Sequence, residues 1–244
     1  MANWSDPRLA ATPQPATTAG RDVAYDAGLR SHMLSVYNYM ASGVLLTGIV
    51  AYGAAMLGIP QQLFFNGNFL GFIVIFAPLI MVFFLMARVS RMSTAGMQTF
   101  FWTFATVMGL SMSAIPLLYN GTSIATAFVG ASAAFVSLSL WGYTTKKDLS
   151  GFGVFLLMGL VGLIVAMIAN LFIRSDAWSM AIAAIGVLLF AGLTAYDTQK
   201  IKSIYFHVAG SDMLGKAAIL GALTLYLDFI NMFQFLLSLI GSRD

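Results

Sequence analysis

Seven apolar stretches, at about 33–58, 69–87, 96–118, 122–143, 151–173, 177–206 and 217–240, occupy most of the 244 residues. Each is long enough to cross a hydrocarbon core of about 30 Å as a helix. Inside a bilayer there is no water to bond exposed backbone groups, so such a chain must satisfy its N–H and C=O groups internally. The fold class this predicts is an all-α integral membrane protein with seven transmembrane helices.

Composition agrees. The chain is 59% hydrophobic and 9% charged, against roughly 25% charged in a soluble domain. Residues 1–30 are polar, with Pro7, Pro13 and Pro15 among them, and read as a disordered cytoplasmic tail. Residues 31–244 then form a single seven-helix domain. The tail lacks the order of a cleaved signal peptide, so the first span is expected to stay as a membrane helix.

Short loops with Lys and Arg face the cytoplasm. An N-inside arrangement puts ten basic residues inside (Arg8, Arg21, Arg30, Arg88, Arg91, Lys146, Lys147, Lys200, Lys202 and Lys216) and only Arg174 and Arg243 outside. The net charge of +3 is therefore explained by orientation, and with no basic run it gives no reason to expect nucleic acid. The outward turns contain Asn66-Gly67 and Asn120-Gly121.

The last span carries the chemistry. Ala217 to Ile240 holds one formal charge, Asp228, near mid-membrane. Thr224, Asp228, Asn231, Gln234 and Ser238 fall within about a third of the circumference, a polar stripe on an apolar cylinder. An ionisable group at that depth needs a bundle interior or a wet cavity, and a partner. The sixth span supplies one in Asp197. It lies fifteen residues before Asp212, near the centre of the connection, and Asp228 lies sixteen after. An antiparallel hairpin brings the two carboxylates to one depth, to within about a helical turn, without fixing rotation.

Two carboxylates together in low dielectric cannot both ionise cheaply, so they would share one proton and titrate as a pair, a pH sensor. Deprotonated, Asp197 and Asp228 would offer hard oxygen ligands to a cation, with Ca²⁺ favoured and weakly bound. Blander roles compete. Asp197 could form an interfacial ion pair with Lys200, and Asp228 could only fix helix packing. Arg88 and Arg91 read first as positive-inside anchors, either able to snorkel toward the acids. His32 and His207 are expected in solvated, structural positions near the cytoplasmic interface.

Other features read as architecture. Gly43, Thr47, Ala51 and Ala55 form a small-residue stripe for close helix approach. Pro78 and Pro116 can bend their helices, Pro78 more plausibly as a static bend. Trp102, Trp141 and Trp178 read as interfacial belt residues, and Asp148 or Ser150 can cap the fifth helix.

Enzyme chemistry finds no footing. There are two histidines and no cysteine for zinc, and no serine has a plausible intramembrane histidine base. A non-enzyme without cofactor is expected, with the lipid bilayer and calcium ions as its partners.

Three segments, WGYTTKKDLSGFG at Trp141–Gly153, FAGLTAYDTQKIKSIY at Phe190–Tyr205 and LYLDFINMFQFLLSLIG at Leu225–Gly241, carry a resemblance to the Bax inhibitor-1, or transmembrane Bax inhibitor motif, family. It runs from about Arg30 to Gly241 and suggests a bacterial member, in the inner (plasma) membrane. The resemblance implies six helices around the last and a pH-sensitive calcium leak. It implies a di-aspartyl sensor matching Asp197 and Asp228, and an arginine latch on the second helix matching Arg88, or Arg91 if the third helix is aligned without a gap. The polar stripe of Thr224, Asn231, Gln234 and Ser238 would then line a plugged path. The competing class is a membrane regulator that binds a protease or another membrane protein and transports nothing.

Overall fold

The computed structural model describes residues 18–65 and 69–242, with side chains from Asp26 onward. The Asn66-Gly67 turn, Arg8, Arg243, the Arg21 side chain and the tail before residue 18 lie outside the described residues. Seven helices are long and apolar enough to cross a membrane. They are α1 (Thr18–Met56), α2 (Phe69–Arg88), α3 (Thr94–Ser111), α4 (Gly121–Thr144), α5 (Ser150–Ile173), α6 (Asp176–Val208) and α7 (Met213–Ile240). No strand occurs among the described residues. The chain is an integral membrane protein of seven helices.

The first helix begins inside the stretch read as a polar tail. No proline interrupts residues 16–59, and a buried row of Leu29, Met33, Val36 and Met40 gives the helix a core face from its second turn within the bundle. At the far end of α3 the helix breaks after Ser111 and restarts as one turn, Ile115–Leu118, with Pro116 in its first turn. That is where a proline lacking an N–H is tolerated.

Pro78 stays inside α2. It cannot donate to the carbonyl of Val74, four residues back, and Ser111 Oγ of α3 donates to that carbonyl instead at 2.5 Å. The carbonyl that the proline leaves free is thus satisfied by a neighbouring helix.

α7 is the central helix. Half of its most apolar window is buried, against 17% for α2 and α5. α6 packs on the Gly221 and Phe235 side, where Phe235 stacks on Phe190. α4 packs on Phe229 through Phe128 and Phe135. α1 and α3 meet at Tyr226, with Phe101 and Phe104 edge-on to its ring. α5 packs chiefly on α6, and α2 on α3, so both stand outside the first ring.

The small-residue stripe of α1 does its expected work. Gly43, Thr47 and Ala51 are buried and Ala55 is half-buried. A Cβ on Gly109 of α3 would lie 2.8 Å from the Thr47 carbonyl, which shows how closely those backbones approach. Trp102 is not a belt residue. It is half-buried against Tyr39 and Phe101, because its position midway along α3 faces α1. Trp178 fits the belt, exposed and donating from Nε1 to the Ala166 carbonyl.

Eight described basic residues (Arg30, Arg88, Arg91, Lys146, Lys147, Lys200, Lys202 and Lys216) fall on one side by the alternation of the helices, and Arg174 on the other. On the basic side, Gln199 of α6 clamps the α4–α5 connection: it accepts from the Leu149 N–H and donates to the Lys147 carbonyl. Asp148 accepts from the Ser150 N–H at 2.9 Å, and hydrogen bonding from Ser150 holds its carboxyl below the usual range.

Candidate functional site

Hairpin counting places Asp197 and Asp228 at one depth, and the helix rotations turn them face to face. The two carboxyls lie close enough to act directly on each other. Two ionised carboxylates at close range repel and have no donor between them, so a proton held by one of them is what would let the pair bond. Asp228 is 4% exposed and its Oδ2 has no hydrogen-bond partner among the described residues, while Asp197 is half-buried.

The rotation is set by packing on both sides of Asp197. Gly142 of α4 lies so close to α6 that an added Cβ would be 2.2 Å from the Ala195 carbonyl oxygen. Thr198 is fully buried, bonded to Ser139 Oγ at 2.9 Å and donating to the Thr194 carbonyl. Ser139 in turn meets the Tyr37 hydroxyl at 2.6 Å. With Ala195 and Thr198 held against α4 and the bundle interior, Asp197 faces α7. Tyr37, Ser139, Thr198 and Gln199 escape sequence reasoning. Thr198 and Gln199 sit inside the Phe190–Tyr205 segment, but nothing in their spacing points to partners fifty or more residues away.

Lys200 forms no ion pair with Asp197 among the described residues. Its Nζ stands 5.9 Å from the centre of the Tyr196 ring. Arg88 is exposed at the end of α2, over the Phe84 ring of its own helix at 5.5 Å, and Arg91 is exposed in the turn that follows. In this conformation neither arginine joins the aspartates, since α2 leans on α3.

The stripe on α7 has a distinctive position. With α6, α4 and the α1–α3 pair assigned to three faces, about 100° per residue leaves a fourth face carrying Leu220, Thr224, Leu227, Asn231 and Gln234. All five are half-buried, and Ser238 at the end of the same face is exposed. Thr224 and Asn231 satisfy themselves by donating to the carbonyls of Leu220 and Leu227. This is a polar seam beside the aspartates rather than a sealed core.

The expectation of solvated histidines holds for His207, exposed and bonded to the Ser203 carbonyl, and fails for His32. His32 is 5% exposed, its ring 5.5 Å from that of Tyr205, because α1 continues past the membrane edge and presses its first turns against α6. No group of three or more His, Cys, Asp or Glu side chains that could hold a metal occurs among the described residues. Asp197 and Asp228 alone could lend carboxylate oxygens to a cation, which suits transient rather than tight binding.

Residues 29–244 match the family model described as "Inhibitor of apoptosis-promoting Bax1". Protein RP147 of Rickettsia prowazekii is 45% identical over 228 residues, which cover 93% of this chain and 96% of that protein. Inner membrane protein YbhL of Escherichia coli K12 is 42% identical over 219 residues, 89% and 94% of the two chains. Membrane protein SpyM3_0260 of Streptococcus pyogenes is 33% identical over 227 residues, 90% and 96% of the two.

Proposed function

The chain belongs to the Bax inhibitor-1 family, and from that premise we propose that it is a pH-sensitive calcium leak, gated by the proton shared between Asp197 and Asp228. The observation that carries the reading is the close carboxyl pair formed by Asp197 of α6 and Asp228 of the central helix α7, next to a polar seam. A protonated pair is one negative charge at most and is occupied by its own hydrogen bond. A deprotonated pair carries two charges, which repel, attract a divalent cation and attract an arginine.

The conduit in this reading follows the seam of Thr224, Asn231 and Gln234 toward Ser238, with Ca²⁺ as cargo and not as a resident metal. Arg88, with Arg91 as the alternative, is the latch: when it reaches the aspartates, α2 closes over the seam. With Arg88 resting on Phe84, α2 is unlatched. No reaction is catalysed and no cofactor is used. The basic side faces the cytoplasm by the positive-inside rule, in a bacterial inner membrane like that named for the Escherichia coli relative.

The test is calcium entry into dye-loaded proteoliposomes stepped from about pH 5 to about pH 8, across the physiological window. Asp197→Asn and Asp228→Asn are run beside the parent. Each keeps the shape of the pair and removes the shared-proton equilibrium, leaving one carboxyl with no second carboxyl to share with, so flux is expected to lose the parent's pH dependence in both. A parent with no flux above protein-free vesicles, while folded and inserted, overturns the conduit and moves the reading to a regulator that binds a membrane partner. Full pH response in Asp228→Asn would overturn the sensor alone.

A further inference from the structure

Opposite the seam, α1 and α4 part to leave an apolar groove of about 980 Å³, floored by Phe229 of α7. It extends along α1 from Arg30 to Tyr52, about 33 Å at ~1.5 Å per residue, so it traverses the hydrocarbon core. Two of its polar side chains, Tyr37 and Ser139, bond each other in its wall. An added Cβ on Gly48 would meet nothing within 4 Å, which marks open space in the lining.

One end of the groove is cationic. Arg30 is exposed there. Tyr143 closes the same end from α4, and Lys202 of α6 donates to its carbonyl at 2.8 Å with Nζ 4.9 Å from its ring. The occupant must therefore be a long apolar body with an anionic end at the membrane surface.

We propose that the α1–α4 groove is a site for an anionic phospholipid of the surrounding bilayer, an acyl chain lying along Tyr37, Ala41 and Ser139 and the phosphate headgroup on Arg30 and Lys202. The proposal does not depend on ion flux. Charge complementarity selects the headgroup, and the apolar lining takes the chain.

Native mass spectrometry of the delipidated full-length protein tests it, titrating palmitoyl-oleoyl phosphatidylglycerol against phosphatidylcholine with the same chains. The first bound lipid should be phosphatidylglycerol with a preference of about fivefold or more, fivefold being the ~1 kcal/mol typical of one basic side chain near anionic lipid. Arg30→Gln should keep a bound lipid and lose about fivefold of that preference. Ala41→Trp and Gly48→Leu fill the groove and should reduce tight binding of both lipids, with helix content and monodispersity unchanged. Arg30 is exposed, so its variant reads out even if a groove variant fails to fold. Equal affinity of the parent for the two lipids overturns the proposal. So does a tight lipid retained in both filled variants, or a dimer of the parent that Ala41→Trp dissociates.

Discussion

One hydroxyl on α1 ties three helices together. Thr47 Oγ1 donates its single proton to the Ala105 carbonyl of α3 at 2.9 Å, so the Tyr226 hydroxyl of α7, 2.6 Å away, must be the donor in their contact. All of this is buried where no water competes. Thr47→Val keeps the volume and orphans the Tyr226 hydroxyl. The expected loss is about 0.6–1.7 kcal/mol, the range for interhelical hydrogen bonds in membranes, read as a lower unfolding midpoint in detergent. In a double-mutant cycle with Tyr226→Phe the two losses should not add, because the phenylalanine leaves no hydroxyl to orphan. Additive losses would show that the pair does not bond. Asp228 differs from Tyr226 in that, among the described residues, its Oδ2 has no hydrogen-bond partner, which calls for a reason beyond packing.

At the scale of elements, α2 packs chiefly on α3, and its attachment there is specific. Ser111 Oγ takes the place of the N–H that Pro78 cannot offer to Val74. Ser111→Ala should cost about 1 kcal/mol, measured by thermal unfolding, and should cost little on a Pro78→Ala background, where a backbone N–H is restored to that carbonyl. An equal cost on both backgrounds would mean that the hydroxyl serves its other acceptor, the Val107 carbonyl, instead. If α2 swings as a latch, this bond is where its motion is anchored.

For the whole molecule, four helices pack directly on α7 and the fourth face of α7 is left half-open. The chain has no cysteine, so single replacements report on that face without background. Asn231→Cys should react with a membrane-impermeant maleimide in proteoliposomes if water enters the seam, since only the hydrated thiolate is nucleophilic. Met232→Cys, at a position with 0% exposure, should not react. Equal protection of both would mean that lipid covers the open face, and the conduit would need another route.

Much of this architecture is legible in the chain itself. Seven apolar windows dictate seven helices, because hydrocarbon offers backbone groups no other partner. Counting outward from Asp212 also places Asp197 and Asp228 at one depth, because helix rise is fixed by backbone geometry. What counting cannot supply is rotation and lateral position, which depend on side chains distant in sequence. Ser139 meets Thr198 and Gly142 meets Ala195, and so Asp197 is turned toward Asp228. His32 is buried by α6, Trp102 is covered by α1, and Arg88 lies on Phe84 because α2 leans on α3. The α1–α4 groove belongs to the same class. Hydropathy measures how strongly each helix prefers lipid to water, but it is silent on which helices touch and where they part. In a bilayer, where lipid is as apolar as leucine, close packing and interhelical hydrogen bonds decide that instead.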